Sequence, residues 1–99
     1  MRLPPHPLRY PIEISDLIEK RFPEEALVEA IRIHYRDVVK EDKANRKLPP
    51  NSPKQVISVQ TQLRYRQYRI ILRTNFDLRK TVVGTPRELP SPKRGEGMQ

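Results

Sequence analysis

The stretch Gln55–Phe76, QVISVQTQLRYRQYRIILRTNF, decides the reading of the whole chain. In its first half Ile57, Val59, Thr61, Leu63 and Tyr65 stand at odd positions, with Ser58, Gln60, Gln62, Arg64 and Arg66 between them. A period of two in residues that favour strands predicts a strand with one covered face. After Gln67 the apolar series moves to even numbers, through Tyr68, Ile70, Leu72, Thr74 and Phe76. A change of parity requires a bulge or a tight turn, here near Arg66-Gln67. Either device predicts that Arg64, Arg66, Arg69 and Arg73 share the opposite, solvent-facing side. A helical stripe through Val56, Val59, Leu63 and Ile70 is the competing reading, and Arg66 and Gln67 interrupt it.

Outward from this tract, proline punctuates the chain. Its eleven prolines fall at 4–11, 23, 49–53 and 86–92. Proline lacks a backbone donor and disfavours helical geometry in the residue before it, so continuous elements belong between these clusters. Residues 1–11 read as a Pro-rich arm or a weak edge strand, the alternation extending to Ile14. Ser15 or Asp16 can cap a helix over about 15–22 that turns Leu17, Ile18 and Phe22 inward. Pro23 ends it and suits the first turn of a second helix, about 23–40, in which Glu24 and Glu25 meet the positive end of the dipole. Leu27, Ala30, Ile31, His34 and Val38 recur there at spacings of three and four. Residues 41–54 read as a polar, proline-rich loop. Strands are expected at about 55–65, 68–76 and 80–84, completing one small domain over 12–85, and 86–99 reads as a disordered tail. The predicted architecture is α+β: two N-terminal helices packed on a small antiparallel sheet, with flexible Pro-rich ends.

The 99 residues carry a formal net charge of +8. Residues 1–54 hold 11 Lys/Arg against 9 Asp/Glu, whereas residues 55–99 hold 9 against 3. A one-sided excess creates a field that draws in polyanions, so nucleic acid leads the expected partners. An acidic protein or anionic lipid would satisfy the same field, and a small core with this much charge favours a chain completed by a protein partner or its own copy. With no cysteine, disulfides and thiolate metal sites are excluded. The longest aliphatic run, Ile70-Ile71-Leu72, is too short to cross a bilayer, and the N-terminal segment does not resemble a signal peptide. These features lead to an expectation of a soluble, intracellular protein, cytoplasmic by preference, with no membrane partner.

The candidate binding residues are Arg64, Arg66, Arg69, Arg73, Arg79 and Lys80, with Tyr65 and Tyr68. Guanidinium forks can neutralise phosphates and phenol rings can stack on bases, and no acidic residue intervenes between Lys54 and Asp77 to balance the run. The plainer reading is a solvated sheet face whose arginines keep the edge from pairing and whose tyrosines belong to the core. No phosphate loop, zinc-ligand set or RNA-recognition signature is present, so base-specific reading is not expected.

His34 with Asp37 one turn later raises the question of a general base. A histidine on the apolar stripe of a helix is more commonly packed than catalytic. Asp77 has no second acidic residue near it in sequence to share a metal. No cofactor, metal or catalytic residue is therefore expected, and the reading leans away from an enzyme.

Tyr68-Arg69-Ile70-Ile71-Leu72-Arg73, followed by a polar turn and Val82-Val83, resembles the strand hairpin of RelE-type toxins. These are small basic proteins with two helices on a sheet, some cleaving messenger RNA and others acting on gyrase. The likeness covers about twenty residues and the element order, and implies no catalytic assignment. Three functions are thus carried forward: a non-enzymatic nucleic-acid-binding protein, a protein-interaction subunit of a larger assembly, and a toxin of that type.

Overall fold

The structure is a computed structural model and describes residues 2–90. The elements follow the order β1 (Ile12–Ile14), α1 (Asp16–Arg21), α2 (Glu24–Arg46), β2 (Ser58–Tyr65), β3 (Tyr68–Asn75) and β4 (Lys80–Gly84). The class is α+β, as the alternation and the helical stripe predict. The sheet order is β1-β4-β3-β2. β2, β3 and β4 form an antiparallel meander, but β1 pairs parallel to β4, so the sheet is mixed. Pro11 stands just ahead of this edge strand, where a missing donor costs least, and its carbonyl accepts from Thr81 N.

Both helices cover one face. The Ser15 hydroxyl accepts from Ile18 N and caps α1, and Phe22 and Pro23 make the extended joint to α2. The core joins Ile18, Phe22, Leu27, Ala30 and Ile31 of this layer to Ile70, Leu72 and Val83 of the sheet. Each large aliphatic side chain buried here contributes about 1.5–3 kcal/mol. On that same face stand Leu63, Tyr65 and Tyr68, partly buried against the core.

The turn between β2 and β3 is Arg66-Gln67, closed by the Tyr65–Tyr68 pair. Arg66 has φ 57°. A two-residue hairpin needs positive φ at its first central residue, so this turn produces the parity change. Arg64, Arg69 and Arg73 consequently point away from the helices.

Three segments differ from the reading of the sequence. Helix α2 continues to Arg46, through residues expected to form a loop. Nothing apolar marks a period there, yet Glu41, Lys43, Ala44 and Arg46 are good helix formers, and an Asp42–Arg46 ion pair spans one turn at 3.1 Å. The Asn45 side chain then holds the returning loop, donating to Val56 O and accepting from Val56 N, both at 2.8 Å. The N-terminal arm is packed rather than loose: Leu3 touches the core and Tyr35 OH donates to Pro4 O at 2.9 Å. Burial pushes the Tyr35 phenol up to about 12.

Residues 85–90, of which 86–90 are expected to belong to a disordered tail, form an ordered strap across the outer face. Thr85 and Glu88 make reciprocal bonds, Thr85 N to Glu88 Oε1 and Glu88 N to Thr85 Oγ1, in the manner of a capping box. The Thr85 N–H bond is the main cause holding the Glu88 carboxyl below its usual range. The strap runs close to Gly84: a Cβ there would meet Glu88 Oε1 at 3.0 Å and Leu89 Cδ1 at 3.3 Å. Ile71, in register with Gly84 on this face, is only 1 % exposed. The rest of the expected tail, 91–99, lies outside the described residues.

Candidate polyanion interface

The outer face and the turn end of the β2–β3 hairpin carry the candidate site. In the β2–β3 register Arg64 stands directly opposite Arg69. Like charges placed so repel by a few tenths of a kcal/mol, and an anion between them would turn that repulsion into attraction. Arg66 projects from the turn, its guanidinium 5.5 Å from the Tyr65 ring centre. Arg69 also lines a groove of about 440 Å3 with Arg21 from the last turn of α1, Gln67, Tyr68, Pro86 and Arg87. The Arg21 guanidinium lies 5.2 Å from the centre of the Tyr68 ring. Among the described residues no carboxylate lines the groove. Among the described residues the ion pairs are Arg46–Asp42 and Lys80–Glu13, so neither engages these arginines.

Left-handed backbone sharpens the picture. Arg9, Arg66 and Arg79 have φ of 57–61°, a region that costs an L-residue about 1–2 kcal/mol and that glycine enters freely. Turn chemistry alone would favour glycine at Arg66 and Arg79, so the arginines there keep a cation at the apex at some cost in stability. At the second turn the Asn75 side chain accepts from Asp77 N and Leu78 N, and Arg79 N donates to Asn75 O.

The residues singled out in the sequence divide into two groups. Arg64, Arg66, Arg69 and Tyr68 meet at the hairpin end. Tyr65 faces the helices, 5.8 Å from Phe22 between ring centres, and its strand partner Tyr68 also packs on Phe22, at 6.3 Å. Arg73 shares the outer face but is fastened: it donates to Gln60 Oε1 at 2.9 and 2.6 Å and to Pro90 O at 2.7 Å. Arg79 and Lys80 lie at the far end of the sheet, roughly 20 Å from Arg69 along β3. There Arg79 sits over the Tyr10 ring and Lys80 pairs with Glu13 at 3.6 Å. Arg21 and Arg87 complete the groove, and sequence reading missed both. A basic residue closing a helix is ordinary in sequence, and Arg87 falls within the presumed tail.

His34 has a different part. It is fully buried at the helix–sheet interface, and both ring nitrogens are bonded, Nδ1 to Thr61 Oγ1 and Nε2 to Thr74 Oγ1, each at 2.7 Å. The bonds continue in both directions. Thr61 Oγ1 donates to Asp37 Oδ2 at 2.9 Å, Thr74 Oγ1 meets Thr81 Oγ1 at 2.6 Å, and Thr81 Oγ1 meets His6 Nε2 at 2.9 Å. Leu8 N–H donates to His6 Nδ1 at 3.0 Å.

The two ends determine every proton between them. Because His6 Nδ1 accepts, the neutral ring carries its proton on Nε2 and donates to Thr81. Thr81 then donates to Thr74, Thr74 to His34 Nε2, His34 Nδ1–H to Thr61, and Thr61 to the Asp37 carboxylate. All six bonds are satisfied with both histidines neutral. Burial lowers His34 to about 4, against a smaller rise from Asp37, and burial lowers His6 as well. With both nitrogens committed, His34 braces the α2–sheet interface and is not free to take a substrate proton. Comparison with family models, curated proteins and solved structures finds no match for the chain.

Among the described residues no group of three or more His, Asp and Glu is arranged to hold a metal ion, and no helix is long and apolar enough to cross a membrane.

Proposed function

We propose that the protein is a small non-enzymatic module that holds nucleic-acid phosphates at the hairpin end of its sheet. The observation that carries this reading is the convergence of Arg21, Arg69 and Arg87 on one groove without a carboxylate, next to the opposed Arg64–Arg69 pair. Tyr68 supplies an aromatic wall, and Arg66 extends the cationic rim. Phosphate contacts of this kind set orientation and affinity without reading bases, so the module would discriminate by strand shape.

Binding of a labelled single-stranded RNA, followed by fluorescence anisotropy across a salt series, tests it. Five arginines on phosphates predict a log–log slope of roughly −3.5 for a single strand. The combined Arg21→Ala, Arg69→Ala and Arg87→Ala variant should flatten that slope by about 2, whereas Arg32→Ala, on the exposed side of α2, should leave it unchanged. Equal slopes for the parent and the triple variant would discard the groove. Running the same series on duplex DNA separates the two nucleic acids.

The toxin alternative draws support from the order strand, two helices, three strands. Expression of such a toxin should arrest growth and Arg69→Ala should relieve the arrest; growth at the uninduced rate would dismiss it. The protein-interaction alternative is favoured by a different feature, the free edge of β2.

A further inference from the structure

The two edges of the sheet are unlike. β1 spans three residues and follows a proline, which leaves little ladder to offer. β2 spans eight residues and contains neither proline nor lysine, two of the usual devices that blunt an edge. The Tyr65–Tyr68 pair closes a two-residue hairpin, so the odd-numbered residues of β2 exchange bonds with β3, and Phe76 N to Ile57 O continues that ladder. The N–H and C=O groups of Ser58, Gln60, Gln62 and Arg64 therefore point outward in a row without a strand partner among the described residues.

Beside this row an apolar groove of about 250 Å3 opens between α2 and β2, walled by Phe22, Ala26, Ile33, Leu63 and Tyr65. It lies towards one end of the strand. At the other end Ile57 is 56 % exposed, on the same helix-side face by its odd position. The half-buried Val59, Leu63 and Tyr65 contrast with Ile70 and Leu72, their fully buried neighbours on β3.

We infer that two copies of the chain join by antiparallel pairing of their β2 edges about a two-fold axis at Thr61. A two-fold interface repeats each contact in both senses, residue i on j and j on i, and Ile57 and Tyr65 are equidistant from Thr61. Pairing about this point sets Ile57 of one copy beside Tyr65 of the other, at the mouth of the groove, and does the same in reverse. Val59 meets Leu63. On the outer face Gln60 faces Gln62, and Arg64 faces Ser58 rather than another arginine, so no like charges oppose directly. The axis brings the helix faces of both copies over one continuous eight-stranded sheet. This pairing stands whether or not the arginine groove binds nucleic acid.

Light scattering on the purified full-length chain should give twice the chain mass. Ile57→Asp, at an exposed position, should weaken self-association at least tenfold while the far-UV spectrum stays as in the parent. Registry is tested by cysteines, since the natural chain has none. The double variant Ser58→Cys with Arg64→Cys should form a disulfide-linked dimer under mild oxidation, because paired residues across strands lie within bridging distance. Neither single variant should, the like residues being roughly 20 Å apart across the axis. A parent that is monomeric at every concentration, an Ile57→Asp variant that dimerises as well as the parent, or single cysteines that cross-link as readily as the pair would each overturn the inference.

Discussion

Replacement of His34 by alanine is expected to cost the domain roughly half of its stability. The imidazole fills the space between α2 and the sheet, fully buried and bonded at both nitrogens. Its removal opens a cavity and takes from Thr74 an acceptor and from Thr61 a donor. Orphaned buried groups cost about 1–3 kcal/mol and the cavity about 2 kcal/mol more, giving a loss of roughly 3–5 kcal/mol. A domain of this size is stable by about 5–10 kcal/mol, so roughly half of its margin would go. The expected fall in Tm is about 15–30 °C. His34→Gln, which can still offer both a donor and an acceptor, should lose less. Calorimetry showing a Tm within a few degrees of the parent for the alanine variant would refute the bracing role.

The second large effect is loss of stability on mild acidification. Burial lowers the His34 pKa from 6.5 unfolded to about 4 folded. The unfolded chain therefore binds the proton first, and protonation favours unfolding. The contribution is fully present above pH 6.5 and is lost as the pH falls to about 4. Over that window His34 alone should remove roughly 3 kcal/mol. His6 works in the same direction, since its pKa is also lowered and a proton on Nδ1 would confront the Leu8 N–H. Asp37, through Thr61, opposes the shift without cancelling it. Urea midpoints should decline steadily from pH 7 to pH 4 in the parent and more shallowly in His34→Gln. The His34 C2 proton should show no titration by NMR until below pH 5. A midpoint constant across the window would contradict the neutral, directional chain of bonds.

That chain also shows where sequence reading stops. His34 was legible as a residue on the buried stripe of α2, and Asp37 as its neighbour one turn on. Thr61, Thr74 and Thr81 gave no warning, because a threonine in a strand satisfies the β pattern whether its hydroxyl is bonded or not. His6 lay in a segment that looked like a loose arm. Short-range pattern carries no information about contacts separated by 40 or 75 residues, and such contacts make this network. The arginine face behaves likewise. The even and odd series placed Arg64, Arg69 and Arg73 on one side correctly, since a strand has only two. It could not tell that Gln60 and the strap carbonyls would fasten Arg73, or that α1 and the strap would bring Arg21 and Arg87 to Arg69.

By itself, then, the order of residues determined the elements and their sidedness: a period of two, its reversal at Arg66-Gln67, the stripe of α2 and the proline stops between them. These are local matters, settled by backbone geometry within a few residues. Only the tertiary structure decided that β1 runs parallel to β4, that six polar bonds cross the core in one direction, and that three arginines from three separate segments line one groove. Each depends on how distant segments stack once apolar faces are buried, and periodicity along the chain does not encode that distance in space.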